Sequence, residues 1–245
     1  MKILFIGDSL IRGTVGVSFV RQLARRHPHW QIENAGVNGE PLLSIARRLH
    51  QRLRAGAAYD AVVFEAGAND LLLPTFPARG FWWRQAWQQL RRQGYQPLPD
   101  EVDFARHYRE TVASLRRHSS AQVVLLTLGC LGEQLATPLN GQRNRYNDII
   151  RRTGAELNCA VADAGAAFDQ ELAQLPPGRD YLMNSFFNTA WADRVQCFFG
   201  RADALSRQRG LHLTIDGGHL NSRGAALFAT AVEAHLLALA PLQLA

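Results

Sequence analysis

Four stretches of this sequence carry side chains suited to acyl chemistry. Gly7-Asp8-Ser9-Leu10 presents a hydroxyl directly after an apolar run, and Asp216-Gly217-Gly218-His219 places a carboxylate three residues before an imidazole. Between them lie Asn34-Ala35-Gly36-Val37-Asn38-Gly39 and Gly67-Ala68-Asn69-Asp70. Transfer of an acyl group from an ester needs a nucleophile, a base that takes its proton, a group that orients the base, and donors for the developing oxyanion. Ser9 offers the hydroxyl, His219 the imidazole and Asp216 the carboxylate; the Asp-x-x-His spacing lets a single turn put both side chains on one side of the backbone. Asp216 would accept from Nδ1 of His219 and so fix the tautomer in which Nε2 faces Ser9. The backbone amides of Ser9 and Gly39 and the side-chain amide of Asn69 are the candidate oxyanion donors. Gly39 suits that task because a residue without Cβ lets substrate approach its N–H. Taken singly, the stretches read more readily as polar turns, and Asp-x-x-His as a helix start or surface pair; a metal site at Asp216 and His219 lacks a third ligand.

The elements that must position these groups alternate between strand and helix. Ile3-Leu4-Phe5-Ile6 is a short buried strand closed by Gly-Asp-Ser. Phe19, Val20, Leu23, Ala24 and His27 mark a helix that stops at His27-Pro28. Trp30 to Asn34 reads as a second strand; Leu42, Ile45, Ala46, Leu49 and Leu53 as a helix behind Pro41; Tyr59 to Ala66 as a third strand. The next helix carries Phe104, Tyr108, Thr111 and Leu115, the fourth strand is Gln122 to Leu128, and Tyr146, Ile149, Ile150 and Leu157 face inward from another helix. Ala160 to Asp163 is a short fifth strand, the pattern from Ala164 to Ile215 is irregular, and Ser222 is the expected N-cap of a final helix with Leu227, Val232 and Leu236. This order predicts a parallel sheet with helices on both faces. Open α/β sheets keep their sites at the carboxyl ends of the strands, where the polar turns fall.

The bulk properties narrow the class. The chain has 245 residues, 27 basic and 21 acidic, for a net charge of +6, and Lys2 is its only lysine. One domain spanning 1–245 accommodates that length. The arginine pairs lie in helical patterns and read as solvated faces, and no nucleic-acid motif accompanies them. Cys130, Cys159 and Cys197 are odd in number and flanked by apolar residues, as expected of reduced core thiols. No apolar run is long enough to span a membrane. Read as a natural start, the N-terminus is too short in apolar residues for a signal peptide, so the expected location is the cytoplasm.

Together the four stretches resemble the four blocks of the GDSL, or SGNH, hydrolase family. The resemblance implies a flavodoxin-like three-layer α/β/α fold with a five-stranded parallel sheet of order 2-1-3-4-5. It also implies hydrolysis of esters or thioesters without a cofactor, through a serine nucleophile, a catalytic triad and an oxyanion hole. Carried onto matching positions, Ser9 is the nucleophile, His219 the base and Asp216 its partner, with Ser9, Gly39 and Asn69 forming the oxyanion hole; no metal is implied. Asp8 matches the first block and is expected to hold the turn.

Two aromatic-rich segments, about 71–99 and 176–212, interrupt the alternation beside catalytic blocks. They are expected to form the substrate pocket, with Trp82, Trp83, Trp87, Phe186, Phe187 and Trp191 as candidate walls, the alternative for any one of them being packing in the segments' own small cores. Arg79, Arg84, Arg91 and Arg92 beside Phe81, Trp82, Trp83 and Trp87 also fit an interfacial helix on anionic lipid. The leading expectation is an esterase for a small or medium acyl ester, including an O-acetylated carbohydrate, with a thioesterase or lysophospholipase as alternatives and a small-molecule ester as the partner. The non-enzymatic alternative is a flavodoxin-like ligand-binding domain, whose phosphate-binding glycine motifs the sequence lacks.

Overall fold

The computed structural model describes residues 1–239; residues 240–245 of the expected 1–245 domain lie outside them. In chain order the elements are β1 (Lys2–Gly7), α1 (Ser9–Arg12), α2 (Phe19–Arg26), β2 (Gln31–Gly36), α3 (Leu42–Arg54), β3 (Ala61–Phe64), α4 (Ala68–Leu72), a 3₁₀ segment (Leu73–Arg79) and α5 (Phe81–Arg92). There follow α6 (Glu101–His118), β4 (Gln122–Leu126), α7 (Pro138–Glu156), β5 (Ala160–Ala162), α8 (Ala164–Ala173), a π-helical turn (Asn188–Ala192), α9 (Asp193–Phe198), α10 (Ala202–Gln208) and α11 (Ser222–Leu239). The strands are all parallel, in the order β2-β1-β3-β4-β5.

Strand side chains alternate between faces, and here both faces are covered. Leu4, Ile6, Val62, Phe64, Val123 and Leu125 pack against Leu42, Ile45 and Leu49 of α3, Phe104, Tyr108 and Val112 of α6, and Tyr146 and Ile150 of α7. Ile3, Phe5, Val63, Val124 and Leu126 pack against Phe19 and Leu23 of α2, Phe168 and Leu172 of α8, and Phe228, Val232 and Leu236 of α11. That double cover explains why β1, β3 and β4 carry unbroken buried apolar runs, each buried Val, Leu, Ile or Phe contributing about 1.5–3 kcal/mol. The register places Gly7 beside Gly36, so β1 and β2 open their polar turns at one end.

The structure departs from the sequence reading in several places. The segment from Ala164, expected to be irregular, begins with α8, capped by Asp163 Oδ1 accepting from Ala166 N–H at 3.2 Å. Its opening Ala-Gly-Ala-Ala carries no apolar periodicity, and α9, α10 and the π-helical turn are too short to show any. The cap of α11 is Asn221, whose Oδ1 accepts from Gly224 N–H at 3.0 Å; Ser222 is the first helical residue, its own N–H donating to Asp203. β2 runs to Gly36, beyond the expected Asn34, and β3 is shorter than Tyr59–Ala66.

Candidate active site

The nucleophile turn is built by exclusion of volume. A Cβ on Gly7 would stand 2.6 Å from both Glu65 Oε2 and Ile11 Cγ1, so only glycine lets β1 pass directly into α1. Asp8 caps α1: its Oδ1 accepts from Leu10 N–H at 2.9 Å. Ser9 is the first residue of that helix, where the backbone N–H has no intrahelical acceptor and is free to face a ligand.

The turn bearing His219 is held from four sides. The isolated antiparallel pairing of Thr214 with Leu220 closes it, with Ile215 N–H donating to His219 O at 2.8 Å. Gly217 has φ +88°, and a Cβ there would stand 2.2 Å from Tyr181 O. The buried Glu133, just after β4, accepts from Leu213 N–H (2.8 Å), Thr214 N–H (2.7 Å), Thr214 Oγ1 (2.7 Å) and His212 N–H (2.7 Å). Met183 N–H donates to Asp216 O at 2.8 Å.

Within that frame the sequence-predicted residues converge. Asp216 Oδ2 lies 2.7 Å from His219 Nδ1, and His219 Nε2 lies 3.0 Å from Ser9 Oγ. Asp216 Oδ1 also accepts from the N–H groups of Gly218 (3.1 Å) and His219 (2.8 Å). Burial alone would push the Asp216 carboxyl up, but the imidazole and these N–H donors outweigh it and hold it below the usual range. Burial likewise pulls His219 down, and the Asp216 charge more than reverses this, so the imidazolium persists above its ordinary pKa. The arrangement can take a proton from a serine hydroxyl and hold it on a stabilised imidazolium.

Asn69 sits in α4, directly after Gly67 with φ +131°. Its Nδ2 donates to Asp8 Oδ2 at 2.8 Å and to Glu40 O at 3.2 Å, so Asp8 orients this amide as well as capping α1. Gly39 borders the same cavity with φ +77°, while a Cβ added there would meet nothing within 4 Å. Glycine at this position suits the positive φ, and the space beside it opens into the cavity where a substrate would approach its N–H.

Sequence reasoning missed Glu133, Glu65 and the wider role of Asp70, since no motif surrounds them. Asp70 ties α4 to α3 and to the loop before α6, accepting from Leu42 N–H and Leu98 N–H, both at 2.9 Å; burial, against the pull of those donors, pushes it up to about 7. Glu65 Oε2 accepts from Asp8 N–H at 3.0 Å, and burial beside the Asp8 charge pushes Glu65 well above the carboxylate range.

Ser9, Gly39, Asn69 and His219 share the lining of one cavity of about 180 Å³. Its apolar wall comes from Leu72, Leu73, Phe76 and Leu90 of the first inserted segment, Met183 of the second, and Leu131. None of the six aromatics expected as walls lines it. Trp83 is buried against Phe76 and Phe186, filling the interior of the inserted segments, whereas Trp82, Phe187 and Trp191 are exposed and Trp87 is half-buried outside the cavity. Neighbouring helical positions face different sides, so a run of aromatics cannot all reach one pocket.

Residues 5–227 match the model of the GDSL-like lipase/acylhydrolase family. No curated protein sequence matches the chain. Among solved structures, an α/β hydrolase enzyme from the metagenome of Lake Arreo, Spain, is similar with a TM-score of 0.63 at 21% identity, covering 98% of this chain and 96% of that one. An acetyl xylan esterase gives 0.62 at 18% identity, covering 96% and 100%. An acetylxylan esterase from Geobacillus stearothermophilus gives 0.62 at 18% identity, covering 96% and 93%. At these identities the likeness is one of fold.

Proposed function

The chain belongs to the GDSL-like lipase/acylhydrolase family and is a carboxylic ester hydrolase, and from that premise we propose that it works through an acyl-enzyme on Ser9 and accepts acyl groups of small to medium length. The observation that carries the reading is the unbroken relay from Asp216 through His219 to Ser9, at 2.7 and 3.0 Å. Ser9 Oγ attacks the ester carbonyl while His219 Nε2 takes its proton, and Asp216 stabilises the imidazolium. The oxyanion meets the N–H groups of Ser9 and Gly39 and an Nδ2–H of Asn69, which leaves its 3.2 Å contact with Glu40 O and keeps the shorter one with Asp8. The alcohol leaves with the proton from His219, and a water activated by the same base releases the acid.

The wall of Leu72, Leu73, Phe76, Leu90, Leu131 and Met183 suits an aliphatic acyl chain, because apolar surface removed from water is what stabilises such a ligand. Two of the similar folds are acetyl xylan esterases, which supports an O-acetylated carbohydrate as a second reading; an acetyl group uses little of that wall. Membership of a hydrolase family sets aside the flavodoxin-like binding domain.

The test is hydrolysis of p-nitrophenyl esters from acetate to long acyl chains by the wild type and Ser9→Ala, with fluorophosphonate labelling. The expected result is labelling of Ser9, loss of both labelling and turnover in the variant, and an optimum beyond acetate. Turnover that survives Ser9→Ala refutes the nucleophile; an optimum at acetate with preference for acetylated oligosaccharides replaces the acyl-chain reading with the carbohydrate one.

A further inference from the structure

The two inserted segments hold the chain's excess positive charge. Residues 71–99 contain four arginines and no carboxylate, and residues 176–212 contain five arginines and three aspartates, which together equal the chain's net +6. Of the three aspartates, Asp193 is buried in an ion pair with Arg209, Asp203 is half-buried and accepts from Ser222 N–H, and Asp180 is exposed. The same segments carry large aromatics that packing leaves in solvent: Phe81 is 62% exposed, Trp82 53%, Phe187 60% and Trp191 71%.

These aromatics form one face across the two segments. Trp82 of α5 meets Phe81 at 5.2 Å and, across the gap between segments, Phe187 at 5.6 Å between ring centroids. Trp191 lies one turn beyond Phe187 in the π-helical stretch. Arg84, Arg91 and Arg92 on α5, and Arg194 three residues after Trp191, are exposed on the same two segments, with Arg91 over the Trp87 ring. The face borders the cavity mouth, because Leu90 of α5 and Thr189, between Phe187 and Trp191, both line the cavity.

We propose that this aromatic and arginine face docks on an anionic phospholipid surface. Exposed aromatics gain by entering the boundary between headgroups and acyl chains, and arginines gain from anionic headgroups. The charge selects the occupant: a second copy would oppose one arginine-rich face with another, at a repulsive cost, and a neutral polysaccharide would leave the arginines unused. The face lies outside the cavity lining, so docking is separable from ester hydrolysis.

The experiment is co-sedimentation of the full chain with phosphatidylglycerol and with phosphatidylcholine vesicles at low and high salt. It is repeated with Trp82→Ala/Phe187→Ala and with Arg84→Glu/Arg91→Glu. Hydrolysis of soluble p-nitrophenyl butyrate and the melting temperature are measured in parallel. The expected result is binding to phosphatidylglycerol that weakens with salt and falls at least roughly tenfold in each double variant, each arginine near such a surface being worth roughly fivefold. Hydrolysis of the soluble ester stays unchanged. Equal binding to phosphatidylcholine, no binding at low salt, or a concentration-dependent dimer abolished by the same substitutions each overturns the proposal. Loss of soluble-ester turnover in the wild type would instead count against the hydrolytic reading and leave vesicle binding to be judged by itself.

Discussion

The most demanding test of the relay is Asp216→Asn, because the structure dictates how the new amide must sit. Asp216 Oδ1 accepts from the N–H groups of Gly218 and His219 at 3.1 and 2.8 Å. Only the amide oxygen can keep those two bonds, so Nδ2 must take the place of Oδ2, 2.7 Å from His219 Nδ1. There it donates, and the ring is driven into the tautomer with its proton on Nε2, facing Ser9, where it can no longer accept. An Asp→Asn change of this kind in a Ser-His-Asp relay costs about 10⁴-fold in kcat, or about 5 kcal/mol of barrier. Asp216→Ala neither donates nor accepts, so His219 samples both tautomers and retains more activity than the asparagine variant. It also loses the acceptor for two backbone N–H groups, lowering stability by about 1–3 kcal/mol. The assay is kcat and KM on a soluble p-nitrophenyl ester across pH, beside thermal melts. In the wild type, activity rises with pH as His219 loses its proton, and Asp216 raises that pKa, so the midpoint lies above the usual imidazole value of about 6.5. An asparagine variant within tenfold of wild type, or one more active than the alanine variant, refutes the tautomer argument.

Three further outcomes follow from the same geometry. Asn69→Ala removes an oxyanion donor and is expected to lower kcat about 10²–10³-fold with KM little changed, whereas a change confined to KM would move Asn69 into ground-state binding. Leu72→Trp or Leu131→Trp shortens the cavity, so kcat/KM for the longer p-nitrophenyl esters falls by about 10-fold or more per excluded methylene while acetate is spared; a uniform loss would mean the chain does not enter there. Glu65 holds its proton in the fold well above its unfolded pKa, so the folded state binds the extra proton and stability falls as pH rises above the unfolded value. Glu65→Gln, which resembles the neutral acid, should flatten the decline in melting temperature as pH rises above the ordinary carboxylate range, and an unchanged slope would show Glu65 ionised in the fold.

Legibility in the sequence tracked how local each signal is. β1 and β4 announced themselves because burial on both faces makes a strand apolar throughout, and the parallel order 2-1-3-4-5 came with the family resemblance. Ser9, Gly39, Asn69, Asp216 and His219 were legible because each lies in a short glycine- or polar-rich turn, and the structure brings all five to the same end of the sheet. Glu133 was not legible: its four acceptor contacts reach residues about 80 positions away, and nothing near it in sequence marks it out. Asp8 was assigned half its work, since capping is local while its bond to Asn69 spans 61 positions. The aromatic pocket failed for a different reason. Composition names the residue types, but helical phase decides that Trp83 turns inward, Leu90 reaches the cavity and Trp82 faces outward.

The two inserted segments differ in how deeply they are joined to the site. The second is part of the base's support. Tyr181 O packs against Gly217, Met183 both lines the cavity and donates its N–H to Asp216 O, and Arg209 binds Asp193 through two contacts of 2.6 and 2.8 Å while donating to Ile215 O at 2.8 Å. Shifting Met183 to admit a bulkier acyl group therefore pulls on the backbone of Asp216, and a displacement of about 1 Å at a reacting group can cost about 10²-fold. The first segment touches the nucleophile's side through apolar walls and two backbone donors, Leu73 N–H to Asn69 O and Leu98 N–H to Asp70, and reaches the second segment through Arg79, which donates to Leu182 O at 2.9 Å. Leu72, Phe76 and Leu90 can change size without a hydrogen bond to the relay being lost. Acyl specificity is thus most freely tuned from the first segment, where substitutions leave Asp216 and His219 at rest, whereas the second segment couples the shape of the pocket to the position of the base.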